Sequence, residues 1–468
     1  MIDSRMFSIK RSVLAFVLLP AIIAAGREEP SSASRTATST AEEITPAIAS
    51  QPAADTVLIS ALLDLRAACG AGSCDGGIHG GTQNRICHTS HGTYATYLGK
   101  DKDDHTVIHL VRIHEGKATL LHTMPTAVSG SNSAHVLCSA DGEIYVLNGG
   151  SVLVNRNEHA SMGVHHLNRK TGTIDDYPAS IPFNGGNNFG YIAAAIDTVR
   201  GRIYAVYSGG DAPGYFAWLA FDLTSMKWMP TATVAKLGYR HCYNYCFAGG
   251  RGGMVILSER DITTAAAGLA QAFADNKVQA KYVWDELRLF YINDLASPEY
   301  TAVDVEKAVY DIQARLYPTV QNNYQGDAYI DASGNLHVLY ASSNNNGKAG
   351  TFLRHAVFNA RQTCIYNDLL EFQGGYMMRM AQSTGGVHYI IDMPYKEAAR
   401  VQIWRATDTA GLHYRLFKEH QFPTGAAPTY AGLAVSCPRG GSPQNNVIDC
   451  LFPVNHDYFC FRIVLPDR

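Results

Sequence analysis

The sequence predicts an all-β protein, a seven-bladed β-propeller with helical insertions in blade four. Three observations predict it. Only 17% of the 468 residues are charged, and 42 Gly with 26 Tyr favour strands over helices. A Gly-containing turn followed by a short strand of alternating aromatic and aliphatic residues recurs along the chain. Its turn glycines, at 142, 201, 253, 334 and 386, are 59, 52, 81 and 52 residues apart, and a period of about 50 residues with several strands per unit is typical of propeller blades.

Weaker copies of this turn flank the five clear ones, at residues 91–94 and 439–440, which brings the number of blades to seven. The first blade is predicted at about 85 to 127 and the last at about 428 to 466. Residues 56–66 are expected to supply a closing strand or a short helix. The 81-residue interval is the exception, and the helical spacing of 262–277 and 303–316 predicts the insertions in blade four.

The amino terminus has the pattern of an export signal. Lys10 and Arg11 precede an apolar run at 13–23, which small residues follow at 24–26. The run is too short to span a bilayer, so we expect no stable membrane insertion. Residues 1–26 are therefore predicted to be a signal and 27–55, rich in Ser, Thr, Ala and Pro, a disordered tether. Residues 56–468 are predicted to form the propeller, and the protein is expected to be secreted, periplasmic or at the cell surface.

The net charge limits the classes of binding partner, and the cysteine content indicates which covalent links the chain can form. A formal charge of −3 shows no basic excess, which excludes a general nucleic-acid binder. We expect a monomer. Ten cysteines in an exported chain permit disulfides, of which Cys69–Cys74 and Cys437–Cys450 are the simplest local pairs.

Polar residues are frequent where the innermost strand of each predicted blade begins, near the central channel. Asp327 is the only carboxylate among them, so glycoside hydrolysis by two carboxylates is disfavoured. A set of His, Tyr and Arg suits β-elimination on a uronate, because Arg neutralises the carboxylate while His and Tyr carry protons. The candidate catalytic and substrate-binding residues are His91, His135, Asn188, Tyr191, Arg240, His241, Tyr243, Tyr324, Gln325 and Arg379.

The stretch at 239–246, YRHCYNYC, supplies the central group of these candidates. Arg240 is predicted to bind the carboxylate, and His135 to act as base or acid with Tyr243 or His241, Tyr191 being a further catalytic candidate. His91, Asn188, Tyr324, Gln325 and Arg379 are predicted to bind substrate. Two alternatives stay open: a salt bridge for Arg240, and a structural role for His135.

Strand alternation places Arg240 and Cys242 on one face and His241 and Tyr243 on the other, so one shared pocket requires a bend in the backbone. A second possibility for this stretch is zinc, held by His241, Cys242 and Cys246 with a fourth ligand from elsewhere. A disulfide or free buried thiols compete with that interpretation.

Most of residues 85–466 resemble the seven-bladed propeller polysaccharide lyases, namely ulvan lyases and L-rhamnose-α-1,4-D-glucuronate lyases. The resemblance rests on the blades, on SNSAHVLCSADGEIYVLNGG at 131–150 with His135, and on YRHCYNYC with Arg240, His241 and Tyr243. It implies an exported lyase acting on an acidic polysaccharide or oligosaccharide at a linkage of the rhamnose–glucuronate type, with zinc near the site. The alternatives are a non-catalytic carbohydrate-binding propeller and, ranked lower since Asp boxes are missing, a glycoside hydrolase.

Overall fold

The computed structural model describes a large part of the predicted propeller, and all of the described residues lie in the unit Pro52–Arg468. They are residues 56–69, 83–103, 105–125, 134–154, 157–179, 192–209, 214–230, 232–263, 265, 270–275, 282–284, 286–307, 322–343, 351–372, 378–394, 399–423, 432–454 and 457–467. The predicted signal (1–26) and tether (27–55) lie outside them. Of the helices in these ranges, none is long and apolar enough to cross a membrane.

The fold is all-β, as predicted, with seven antiparallel sheets of four or five strands that follow one another along the chain. Five blades are built from consecutive strands, blade four is interrupted by the separate β18–β19 pair, and blade seven also takes strands from the start of the domain. Blade one contains β3 (Ile86–Thr89), β4 (Gly92–Lys100), β5 (Thr106–His114) and β6 (Lys117–Pro125). Blade two contains β7 (Ala134–Cys138), β8 (Ile144–Val154), β9 (Asn157–Asn168) and β10 (Thr173–Ala179). Blade three contains β11 (Ala193–Asp197), β12 (Arg202–Gly209), β13 (Tyr215–Asp222), β14 (Lys227–Trp228) and β15 (Thr233–Lys236).

Blade four contains β16 (His241–Ala248), β17 (Met254–Arg260), β20 (Glu286–Ile292) and β21 (Thr301–Lys307), with β18 (Ile262–Thr263) and β19 (Tyr282–Val283) pairing beside it; blade five, β22 (Asn322–Ile330), β23 (Leu336–Ser343), β24 (Thr351–Phe358) and β25 (Cys364–Leu369); blade six, β26 (Arg379–Gln382), β27 (His388–Asp392), β28 (Arg400–Ala406) and β29 (Tyr414–Gln421); blade seven, β30 (Ala434–Val435), β31 (Val447–Val454) and β32 (Asp457–Val464) with β1 (Leu58–Ile59) and β2 (Leu63–Asp64).

Blade seven closes the ring by combining the two ends of the domain. Leu58 of β1 pairs with Val464, and Leu63 of β2 pairs with Cys460, both on β32. A five-residue helix, α1 (Leu65–Cys69), follows. The expected closing strand at 56–66 is thus confirmed, and a short helix comes after it. The first and last strands of the domain therefore share one sheet, in which β1 and β2 form the outer edge.

The hydrophobic core lies between blades. Seven apolar clusters of buried residues occur, and each draws side chains from two neighbouring blades. The cluster that joins the last blade to the first contains Leu451 of β31 and Ile86 of β3. Burial of apolar area is the main stabilising term here, so every blade depends on both neighbours for its stability.

The repeated glycine turn connects the first and second strands of a blade. Gly142, Gly201, Gly334 and Gly386 all have positive φ, between 64° and 83°, a conformation that glycine adopts at no steric cost. In blade four the left-handed residue is Gly252 rather than the predicted Gly253. Gly253 is required for another reason, because a Cβ there would lie 2.0 Å from the carbonyl oxygen of Ile292.

The helical insertions predicted in blade four are not confirmed as predicted. Among its described residues, the first segment, 262–277, holds strand β18 and one short helix, α2 (Ala270–Asp275). The second prediction is wrong for 303–307, which belong to strand β21, while 308–316 lie outside the described residues. The β-branched side chains of Val303 and Val305 pack into the cluster between blades four and five, and this tertiary contact selects the strand.

Seven innermost strands surround the channel: β3, β7, β11, β16, β22, β26 and β30. The end of the channel where these strands begin is called the entry end, and the opposite one the exit end. A 3-10 turn at Pro438–Gly440 follows β30 and packs against β7, β11 and β16. The Gly440 carbonyl oxygen accepts from the Cys138 thiol at 3.7 Å, and Gly441, which follows the turn, lies against Ile196. Both contacts are close to the ends of β7 and β11, so the turn covers the channel on the exit side.

Candidate active site at the entry end and in the channel

Arg240 stands directly before β16 and already has an anionic partner. Its Nη2 donates to the Asp261 carboxylate and its Nε to the Asp261 carbonyl oxygen at 3.4 Å. The Cys242 thiol donates to the same carboxylate at 3.2 Å, and burial raises the pKa of this thiol. Arg240 and Cys242 therefore share one face, as alternation predicts. The contacts agree with the salt-bridge alternative for Arg240, and its role as carboxylate clamp stays a prediction.

His241 points to the other face, where it meets Glu286 at the start of β20. Its Nε2 lies 3.6 Å from Oε1 of Glu286, and the Tyr239 hydroxyl donates to Oε2 of the same carboxylate at 3.3 Å. Arg288 and Lys307 approach this carboxylate at 3.0 and 3.4 Å. These five residues are called the entry cluster. Glu286 is fully buried, so the surrounding cations compensate for the loss of water around its charge.

His241 is a neutral imidazole in this environment. Its side chain is 2% exposed, and burial, assisted by the positive charge of Arg288, lowers its pKa to about 3. Its Nδ1 has no hydrogen-bond partner in the described part of the chain. A neutral ring with one uncommitted nitrogen beside a carboxylate and a phenol can carry a proton.

The backbone bends directly after His241. Tyr243 and Asn244 together oppose Ser258, which makes a β-bulge between Cys242 and Tyr245. Tyr243 has φ +53°, a left-handed conformation that costs a tyrosine about 1–2 kcal/mol. Asn244 holds the bulge, because its side chain accepts from Ser258 Oγ and donates to Ser208 Oγ at 3.3 Å. The bend that a shared pocket requires is therefore present. Because of it, the half-buried Tyr243 no longer follows the alternation of side chains between the two faces of β16.

His135 lies in β7 with both ring nitrogens bonded to backbone. Its Nδ1 accepts from the Asn84 amide at 3.2 Å, and its Nε2 donates to the Ile192 carbonyl oxygen at 2.8 Å. The side chain is fully buried, and burial lowers its pKa to about 3. It thus links blades one, two and three. The described contacts of His135 and Arg240 involve different residues, and this geometry favours the structural alternative for His135.

The remaining candidates are distributed over both ends and the channel. His91 is exposed in the turn after β3, so its predicted place at a strand entry is wrong: the turn is equivalent to the glycine turns of the other blades. Asn188 and Tyr191 lie outside the described residues. Tyr324 and Gln325 belong to β22, just before a second irregularity of register between Gln325 and Asp327. Arg379 is the first residue of β26 and faces the channel.

The predicted zinc ligands do not converge. His241 contacts Glu286, the thiol of Cys242 contacts Asp261, and Sγ of Cys246 lies 4.0 Å from Sδ of Met254. Where three potential ligand atoms of described residues lie within 4.8 Å of one another, they belong to other groups. The geometry does not fit a metal ion at His241, Cys242 and Cys246. Cys437 and Cys450 are both free, so the local pair that the sequence permits is not a disulfide.

A cavity of about 220 Å³ lies in the channel between the inner strands and the Pro438–Gly440 turn. Its charged lining consists of Asp327, Arg379 and Arg439, so two guanidinium groups face one carboxylate. Arg439 reaches in from the turn, where its Nε donates to Asn84 Oδ1 at 3.0 Å and its guanidinium lies 4.5 Å from the ring centre of Tyr245. The lining therefore carries an excess of positive charge and attracts anions.

Arg379 is the most distinctive group of this cavity. It is 2% exposed. Its Nε donates to the Leu433 carbonyl oxygen at 2.7 Å and its Nη1 to that of Gly326 at 2.9 Å. Its Nη2 has no hydrogen-bond partner among the described residues. An unsatisfied buried donor costs about 1–3 kcal/mol, so an anionic ligand that accepts from Nη2 binds with that penalty removed.

The carboxylate of Asp327 neutralises part of the positive charge that Arg379 and Arg439 bring to the cavity. Its Oδ2 accepts from the amide of Met380 at 2.7 Å. Burial raises its pKa, while the charges of Arg379 and Arg439 act in the opposite direction. The carboxyl group is thus held in the channel beside the two guanidinium groups.

Two important residues, Glu286 and Arg439, were not identified from the sequence. Glu286 is brought to His241 only by the pairing of β16, β17 and β20, and the insertion in blade four hides that register. Arg439 belongs to a weak copy of the repeat, in the 3-10 turn between the first and second strands of blade seven. The one available signal was the Arg439-Gly440 pair itself, which marked a turn next to the channel.

No family model matches the chain, and no curated protein matches it in sequence. Among solved structures it is similar to an ulvan lyase of polysaccharide lyase family PL25, with a TM-score of 0.57 and 12% identity over 85% of this chain and 96% of that one. The same figures for identity and coverage, with a TM-score of 0.53, apply to a PL25 ulvan lyase bound to -[GlcA(1-4)Rha3S]-. A Penicillium chrysogenum α-L-arabinanase complexed with arabinobiose is more distant, with a TM-score of 0.45 and 8% identity over 88% of this chain and 99% of that one. The protein is a seven-bladed β-propeller whose fold is similar to that of ulvan lyases.

Proposed function

We propose that this protein is an exported polysaccharide lyase that cleaves a uronic-acid linkage by β-elimination, with a rhamnose–glucuronate polymer as the substrate class. The single observation that carries the proposal is the buried Arg379, whose Nη2 has no partner among the described residues and which lines a positively charged channel cavity. The fold similarity to an ulvan lyase bound to a glucuronate-containing ligand supports the same substrate class.

Carboxylate binding comes first in the reaction. The planar fork of a guanidinium group binds a carboxylate at two points and keeps its charge. Arg379 would neutralise the uronate carboxylate and so make the proton on C5 more acidic. The cavity volume of about 220 Å³ is small beside the ~300–1,000 Å³ of typical ligand pockets. It suits one sugar unit rather than a long stretch of polymer.

Proton transfer follows. A base removes the C5 proton, the electron pair forms the C4–C5 double bond, and the C4–O bond breaks as an acid protonates the departing oxygen. His241 is the first residue of β16 and stands at the entry end. Arg379 lies deeper in the channel, because the Gly326 carbonyl oxygen to which it donates also accepts from the Tyr245 hydroxyl, so the substrate would extend from the cavity to the entry end. The neutral His241 and the half-buried Tyr243 are the described groups that would act as base and acid there. Arg240, paired with Asp261, would keep this end of β16 in place.

Ultraviolet absorbance tests the proposal, because β-elimination creates a 4,5-unsaturated uronate. The protein should raise the absorbance of at least one member of a panel of ulvan, gum arabic and pectic glycans. Arg379→Lys keeps the charge but loses the fork, and it should reduce kcat/KM by about 10²-fold. Arg361→Ala, in an exposed turn of blade five, is the matched control and should retain full activity.

Two results would count against this assignment. If no glycan in the panel yields the unsaturated product, the protein is not a lyase of this substrate class. If Arg379→Lys is folded by circular dichroism and fully active, the channel arginine does not bind the uronate.

A second candidate function is a non-catalytic glycan receptor. The observation that favours it is that His135 and Arg240 are both committed to contacts within the fold. A receptor would be retained on acidic glycan gels without releasing product, and His241→Gln would leave that retention unchanged. A lyase would release product, and the same variant would lose turnover.

A further inference from the structure

Two buried cysteines face each other across the interface between blades one and two. Cys87 lies in β3 and Cys138 is the last residue of β7. Both are thiols in this structure, both are buried in the apolar cluster that joins these two blades, and the two thiols are hydrogen-bonded to each other. We propose that Cys87 and Cys138 form a disulfide bond in an oxidising compartment and that this bond cross-links blade one to blade two beside the turn that covers the channel.

The alternation of side chains along both strands directs the two sulfur atoms into one interface. In β3, Ile86 packs into the cluster between blades seven and one, so its neighbour Cys87 faces blade two. In β7, Leu137 packs into the cluster between blades two and three, so its neighbour Cys138 faces blade one. The two cysteines therefore point towards each other from adjacent blades.

The backbones beside the two cysteines are also close. The Val136 amide donates to the Asn84 carbonyl oxygen at 2.7 Å, which joins β7 to the residues just before β3. The sulfur of Cys138 lies 3.7 Å from the carbonyl oxygen of His88, the residue that follows Cys87. A disulfide requires neighbouring backbones and side chains that are directed at each other, and both features are present here.

Forming the bond costs the folded chain little and restricts the unfolded chain considerably. The Cys138 thiol donates to the carbonyl oxygens of His88 and Gly440, both at 3.7 Å, and an S–H group is a weak donor. The two cysteines are 51 positions apart in the sequence. A cross-link stabilises a fold mainly by restricting the unfolded chain, and the effect increases with the length of the loop that it closes.

Other described cysteines are less suitably placed for a disulfide. Cys450 and Cys460 lie on the paired strands β31 and β32, but they face different apolar clusters. Cys437 is the alternative partner for Cys87, because its sulfur lies 3.9 Å from Oδ1 of Asn84, close to the start of β3. The test must therefore identify which cysteines are joined, and a count of thiols is not enough.

The oxidant is another disulfide, either oxidised glutathione or that of an oxidoreductase in the same compartment. The thiolate of one cysteine attacks it and forms a mixed disulfide, and the thiolate of the second cysteine then displaces the attached thiol. Two electrons and two protons pass from the cysteines to the oxidant, which leaves as two thiols. Burial raises the pKa of the Cys87 thiol, so the reactive thiolate is scarce in the folded chain. The bond should therefore form before blades one and two close on each other.

Peptide mapping of the full chain is the decisive measurement. The protein is refolded in a buffer of reduced and oxidised glutathione, its remaining thiols are blocked, and it is digested without reductant. Mass spectrometry should find the peptide of Cys87 joined to that of Cys138, and reduction should separate the two. Cys87→Ala and Cys138→Ala should yield no such pair. The matched control is Cys246→Ala, which loses an equally buried thiol from another blade and should retain the joined peptides.

Thermal unfolding gives a second readout that does not depend on lyase activity. The refolded native chain should unfold at least about 3 °C higher without dithiothreitol than with it, and the two site variants should lose this difference. The proposal is overturned if the refolded native chain lacks the joined peptides or if Cys87 is joined to Cys437 instead. It is also overturned if dithiothreitol changes the unfolding temperature equally in the native and Cys87→Ala chains, because a stabilising bond between blades one and two would then be absent.

Discussion

Blades two and four begin their innermost strands in similar ways, each with a histidine at the first or second residue, yet the two histidines have different surroundings. His135 in β7 gives both ring nitrogens to the backbone of neighbouring blades. His241 in β16 keeps Nδ1 without a partner among the described residues and faces a buried carboxylate. The β7–β8 pairing shows no shift of register, whereas β16 bulges immediately after its histidine. The same position in the repeat therefore links neighbouring blades in blade two and faces a buried carboxylate in blade four.

The kind of hydrogen-bond partner explains why His135 and His241 have different surroundings. A carbonyl oxygen and an amide are available from any residue, so a histidine that bridges blades needs only correct spacing. A histidine beside a buried carboxylate needs Glu286 together with the cations that stabilise it. Such a cluster is costly to bury, and buried titratable groups beside one another make it a candidate site.

The largest expected effect comes from His135→Ala. The substitution leaves the Asn84 amide and the Ile192 carbonyl oxygen without partners and opens a cavity between three blades, so the free energy of unfolding should fall by about 3–4 kcal/mol. Denaturant titration measures it, and the exposed His91→Ala is the control, with an expected change within about 0.5 kcal/mol. A His135→Ala protein of normal stability without activity would instead restore His135 as the catalytic residue.

The next effect is the response of stability to acid. Burial lowers the pKa of both His135 and His241 from 6.5 to about 3. Below pH 6.5 the two histidines of the unfolded chain therefore bind protons, whereas those of the folded chain stay unprotonated. Above pH 6.5 these groups leave the free energy of unfolding unchanged. Below it, each histidine should lower that energy by up to about 1.4 kcal/mol per pH unit, until the pH reaches the folded pKa.

Glutamine variants separate the contributions of the two histidines to this pH dependence. His135→Gln and His241→Gln should each make the decline between pH 6.5 and 4 shallower than in the native chain, as measured by urea titration at several pH values. Other buried groups titrate in all three proteins, so the difference between the curves isolates the substituted residue. A decline as steep in His241→Gln as in the native chain would show that His241 is not held neutral.

Sequence patterns predicted the architecture because they are periodic, whereas the site depends on single contacts. Gly142, Gly201, Gly334 and Gly386 recur at one place in each blade, and that recurrence defined the propeller. The partner of Arg240 was anticipated only as an alternative, since nothing in the spacing points to Asp261. The bulge at Tyr243 depends on how β16 pairs with β17, which no local pattern in YRHCYNYC encodes. Arg379 was identified correctly as a channel residue because it is the first residue of an innermost strand.

The smallest and most specific effect concerns Tyr243. Tyr243→Gly relieves the left-handed conformation at φ +53°, and the relief of about 1 kcal/mol offsets part of the packing lost with the half-buried ring, so stability should change by about 1 kcal/mol or less. Tyr243→Phe keeps the ring and the strain but loses the hydroxyl. If the phenol carries a proton in the reaction, the Phe variant should lose activity by at least about 10²-fold while its stability stays near that of the native chain. Equal activity in the native and Phe proteins, with loss only in the Gly variant, would assign the residue to shaping β16, and proton transfer would then rest on His241 and Glu286.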